Sequence, residues 1–151
     1  MISNWRAGSL VVSMFLAASC NSDVPVSATT GIIPPGFQIT VTRVATHPFL
    51  ARYNLKLNVS APNGCSASTE LFPDTGYVSR RNLYRSSDGR IYVVGQFDAR
   101  VVDSRDCSIT LAEFRSLDPP AAFLGSFDVN QGQEWVYLSS NQRPERPFEK
   151  R

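Results

Sequence analysis

The segment YNLKLNVS, residues 53–60, alternates without interruption: Tyr53, Leu55, Leu57 and Val59 fall on one side and Asn54, Lys56, Asn58 and Ser60 on the other. Successive side chains of a β-strand point to opposite faces, so this order serves a core and water at once only in an extended chain. Wound as a helix, the same residues would scatter leucine and lysine around the whole circumference. FQITV repeats the pattern with Phe37, Ile39 and Val41. Its phase slips at Val44, where a bulge or a strand end is expected.

RIYVVGQFDARVV reads as one further strand, with Ile91, Val93, Phe97, Ala99 and Val101 in one phase. Tyr92, Val94 and Val102 make its other face partly apolar, so it is expected near the middle of a sheet. Asp88-Gly89 precedes it, and Asp-Gly signals a hairpin because glycine takes the positive φ that the turn requires. DSRD then turns the chain into CSITLAEF, so residues 77–115 read as a three-stranded antiparallel meander. NQGQ separates AAFLGSFDV from EWVYLSS as a second hairpin. The best helical window, TLAEFRSL, is short and has strand-like neighbours. The expected fold is all-β: an antiparallel β-sandwich or small β-barrel of about eight strands. It occupies residues 37–140 and is followed by a charged, proline-containing tail over 141–151, read as a frayed end or a peptide that docks on a partner through Phe148.

The chain begins MISNWRAGSLVVSMFLAASC. One positive charge at Arg6, an apolar stretch from Leu10 to Ala18 and then small residues form the layout of a secretory signal peptide, and the stretch is shorter than the roughly 20 residues of a spanning helix. Residues 1–19 are therefore expected to be removed. AASC resembles the lipobox of bacterial lipoproteins, in which small residues lead into the cysteine that becomes the acylated N-terminus. The resemblance implies that Cys20 carries lipid, palmitate included, and that residues 20–36, NSDVPVSATTGIIPPG after the cysteine, form a lipid-anchored flexible linker. Asn21 and Ser22 differ from the aspartate associated with inner-membrane retention, so by the same resemblance the outer membrane is implied, facing the periplasm or the cell surface. Ala17 and Ser19 also satisfy ordinary signal-peptidase cleavage, which would leave Cys20 as a free thiol.

With Cys20 acylated, Cys65 and Cys107 remain as an even pair, which an exported protein is expected to join as a disulfide. The alternative, a metal held by Cys65, Cys107 and His47, has neither C-x-x-C nor H-x-x-x-H spacing behind it, and no metal is expected. No cofactor is implied either, because the chain has no Gly-rich phosphate loop and no dinucleotide fingerprint. His47 precedes Pro48 in a connection and has no nucleophile motif to serve, while Asp98, Asp103, Asp106 and Glu113 sit where turns and solvent-facing strand positions put ordinary charges. No catalytic residue is assigned, and the chain is not expected to be an enzyme.

A net charge of +2, or +1 without Arg6, is no polyanion-binding charge, and an exported location argues against a nucleic-acid partner. Thirteen arginines against two lysines are read first as a coding bias. Arg80, Arg81, Arg85 and Arg90 nevertheless fall on both limbs of one predicted hairpin and interleave with Tyr77, Tyr84 and Tyr92. Arginine and tyrosine are enriched at binding hot spots, so Arg80, Arg81, Tyr84, Arg85, Arg90, Tyr92 and Phe148 are the candidate partner-binding positions. The plainer account of the same charges is a solvated hairpin that keeps a sheet edge from aggregating. Two functions stay open: a lipid-anchored scaffold or binding component of an envelope assembly, such as secretion, conjugation or surface machinery, and a binder of a soluble enzyme. The second is similar in layout to periplasmic lysozyme-inhibitor lipoproteins, although SSDGRIY has the serine, glycine and tyrosine of their loop at a different spacing.

Overall fold

The alternation seen in the sequence becomes two antiparallel sheets in a computed structural model that describes residues 24–33, 36–76, 78–112 and 121–148. In chain order the strands are β1 (Val26–Thr29), β2 (Gln38–Ala45), β3 (Tyr53–Ser60), β4 (Ser66–Asp74), β5 (Arg81–Arg85), β6 (Ile91–Val94), β7 (Ala99–Val102), β8 (Ile109–Leu111), β9 (Ala122–Val129) and β10 (Trp135–Ser139). One sheet has the order β1-β2-β3-β4 and the other β10-β9-β5-β6-β7-β8. Ile39, Val41, Leu55, Leu57 and Val59 from the first meet Leu83, Ile91, Val93, Val102 and Phe127 from the second in one core. The fold is thus an all-β sandwich, as the period of two requires.

The strand count rises to ten for two reasons. The stretch read as a flexible linker through residue 36 instead supplies β1, paired with β2 from Val26↔Arg43 to Thr29↔Thr40, and buries Ala28 and Ile33. The run 91–102, expected as one strand, folds back on itself at residues 95–98, where the Gly95 amide donates to the Asp98 carbonyl at 2.7 Å. Apolar residues on both sides hid that turn. Ile91, Val93 and Val102 face the main core, while Tyr92, Val94 and Ala99 join a second, smaller cluster on the opposite face. The three-stranded meander is accordingly four-stranded, from β5 to β8. The slip at Val44 is no bulge, since β2 and β3 stay in register to Ala45↔Tyr53. The irregularity lies on the other side of β3, between Tyr53 and Leu55 against β4.

Both expected hairpins form. Gly89 has φ +84 and closes the β5–β6 turn, with the Ser86 amide donating to the Arg90 carbonyl. The Asn130 amide donates to the Glu134 carbonyl between β9 and β10.

Three of the links that join the sheets differ in chemistry. At one end the Cys65–Cys107 disulfide ties the turn before β4 to the turn before β8, with Cα atoms 5.9 Å apart. At the other end Arg81 and Asp98 of the six-stranded sheet reach β4: the Arg81 guanidinium donates to the Phe72 carbonyl at 2.7 Å, and the Phe72 amide donates to Asp98 Oδ2 at 2.9 Å. On the far side the Trp135 indole of β10 donates to the Val41 carbonyl of β2 at 2.9 Å.

Candidate partner-binding site

In β5 the inward phase is marked by Leu83, which is fully buried, so Asn82 and Tyr84 point to the outer face of the six-stranded sheet. Strand pairing sets Tyr84 beside Tyr92 and Val101, and Asn82 beside Val94 and Ala99. The outer face is therefore apolar across three strands. The outer face of the four-stranded sheet is unlike it, being built of hydroxyls that pair across strands, Ser27 with Thr42 at 2.7 Å and Thr29 with Thr40 at 2.8 Å.

The C-terminal residues cover that apolar face. Expected as a frayed tail, residues 143–148 instead lie along β5. Asn82 Nδ2 donates to the Arg146 carbonyl at 3.1 Å, and the Arg80 guanidinium donates to the Pro147 carbonyl at 3.3 Å and sits 4.6 Å from the Phe148 ring centroid. The Tyr84 hydroxyl donates to Glu145 Oε1 at 2.8 Å, and Arg143 NH1 bonds Asp128 Oδ2 at 2.6 Å. Backbone carbonyls held by side-chain donors, with an aromatic ring under a guanidinium, are how a peptide is bound by a surface. Burial and the hydrogen bond to Glu145 raise the Tyr84 phenol to about 12, against the lowering effect of the Asn82 donor. Burial lowers the Arg80 guanidinium, while nearby Asp128 opposes the change.

Of the residues singled out in the sequence, Arg80, Tyr84, Tyr92 and Phe148 meet at this face. Arg80 and Tyr92 are buried there, contrary to a solvated hairpin. Arg81 is buried on the opposite side of the sheet, 3.4 Å from Asp98, where desolvation lowers its pKa and Asp98 raises it. Arg85 and Arg90 belong to the disulfide end. Arg90 is held within its own turn by Asp88 at 2.6 Å, and its donors keep the Asp88 carboxyl well below the usual range. Tyr77, Glu113 and Cys20, the cysteine expected to carry lipid, with Asn21 and Ser22, lie outside the described residues. His47 works as a loop residue, its Nδ1 accepting the amides of Phe49 and Leu50, both at 3.1 Å.

Sequence reasoning missed Asn82, Asp128, Arg143, Glu145 and Arg146. For the last three the one signal was the alternating charge of the tail; in residues 143–148, the strap, Arg143 and Arg146 face Asp128 and Glu145 accepts from Tyr84. The chain matches no protein family, no curated protein and no solved structure.

Proposed function

We propose that this chain is a lipid-anchored protein of the bacterial cell envelope, held at the outer membrane through Cys20, whose β domain acts without catalysis as a binding or scaffold component of an envelope assembly. The AASC sequence after an apolar leader supports the anchoring. The binding role rests on one observation: the outer face of the six-stranded sheet holds a proline- and phenylalanine-containing peptide, its own residues 143–148, through Arg80, Asn82 and Tyr84. The strap turns Arg146 outward, with 61% of its side chain exposed, beside the half-buried Tyr84 and Phe148. That is a polar rim around an aromatic centre, the usual anatomy of a protein-contact patch.

The test is recovery of partners from solubilised membranes with the wild-type chain and with Arg146→Glu and Phe148→Ala. A scaffold brings down membrane proteins in stoichiometric amount, and the two variants lose them. Recovery of one soluble enzyme such as lysozyme, in place of membrane proteins, would replace this reading with that of a periplasmic inhibitor. Identical recovery by wild type and variants would remove the strap face as the contact surface.

A further inference from the structure

Single exposed apolar residues are ordinary, but their distribution here is lopsided. Eight large apolar side chains are exposed among the described residues, and six of them, Val24, Val26, Phe49, Leu50, Phe72 and Phe97, share one end of the sandwich. Strand register places them there. β1 starts opposite Arg43, near where β2 ends. Ala45 pairs with Tyr53 across the 46–52 loop, Tyr53 pairs with Asp74, and the Phe72 amide bonds Asp98 in the 95–98 turn. Ile32 lies at the disulfide end and Leu111 on the edge strand β8.

Phe49 is 88% exposed. Its position is not loose, because His47 Nδ1 accepts the amides of both Phe49 and Leu50 and so fixes the tip. Arg52 is exposed on the same loop. Among the acidic groups of the described residues at this end, Asp74, Asp98 and Asp128 are buried and Glu134 of the β9–β10 turn is exposed.

The chain also enters the domain at this end. Asn21, Ser22 and Asp23 alone separate Cys20 from Val24. Four Cα steps span at most about 14 Å even when fully extended. An acylated Cys20 therefore holds this end, and no other, against the bilayer. We propose that the 46–52 loop is a membrane-contacting tip, with Phe49 and Leu50 in the headgroup region of the bilayer that holds the anchor and Arg52 at the level of the phosphates. An apolar side chain flanked by a guanidinium suits that boundary, where a ring meets acyl chain and a cation meets phosphate. The inference rests on acylation of Cys20, as proposed above.

The test uses the mature full chain purified from membranes and reconstituted into phosphatidylethanolamine–phosphatidylglycerol vesicles with brominated acyl chains. Intact mass first reads the acyl group. Phe49→Trp then loses roughly twofold of its emission to bromine, the depth expected of an interfacial side chain, while Ile32→Trp at the opposite end keeps its emission. An acylated chain whose Phe49→Trp indole is quenched no more than that of Ile32→Trp overturns the membrane tip and leaves the anchor standing. A mature chain without the acyl mass overturns both.

Discussion

Arg81 and Asp98 are an ion pair with only 4% and 5% of their side chains exposed, and each also holds one backbone group of Phe72. Removing one partner strands the other charge in the core, so Arg81→Ala is expected to cost about 3–5 kcal/mol in urea unfolding. Arg81→Met combined with Asp98→Leu removes both charges and is expected to recover much of that loss, because well-packed apolar side chains can replace a buried pair. Tyr84 makes a different prediction. Its phenol titrates at about 12 in the folded protein and at 10.0 when unperturbed. The unfolded chain therefore loses this proton first on going alkaline, and the Tyr84 contribution to stability, complete below pH 10, is lost between pH 10 and about 12. Absorbance titration should find Tyr84 ionising late, and Glu145→Gln should bring it earlier by removing the neighbouring negative charge.

At the level of elements, the 95–98 turn is tighter than its sequence suggests. A Cβ on Gly95 would lie 2.7 Å from both Arg81 Cζ and Asp98 Oδ1. Gly95→Ala should therefore destabilise by about 1–3 kcal/mol, the usual cost of forcing atoms into a filled site, measured by chemical denaturation. That glycine also shows where the sequence was hard to read. β3 was legible because one of its faces meets water and the other the core, so the alternation is clean. β6 and β7 are covered on both faces, by the main core and by the smaller cluster under the strap, and the turn between them offers only Gln96 and the buried Asp98 as polar residues, inside a run that is largely apolar. β1 escaped notice because an edge strand of four residues with one fully inward side chain, Ala28, carries almost no pattern. The strap was hard to read for another reason: part of its hold on the sheet is through the carbonyls of Arg146 and Pro147, which every residue possesses. The tyrosines and arginines of the candidate site could be picked out by type, but strand phase alone sends Arg80 to one face and Arg81 to the other.

For the whole molecule, stability depends on keeping two sheets together. The disulfide closes a loop of sequence separation 42. On the chain-entropy account this contributes about 4 kcal/mol, a large share of the stability of a domain this size. The Cys65→Ala, Cys107→Ala double variant should show that loss in equilibrium unfolding, and adding reductant should then change nothing further. The third link offers a way to watch the sheets separate. The chain has two tryptophans, Trp5 and Trp135. The Trp135 ring is only 4% exposed, and its N–H is captured by a carbonyl of the facing layer. In a Trp5→Phe variant, intrinsic fluorescence becomes a gauge of the gap between layers: a shift to the red reports their parting, even at a stage when each layer still keeps its own ladder of backbone bonds.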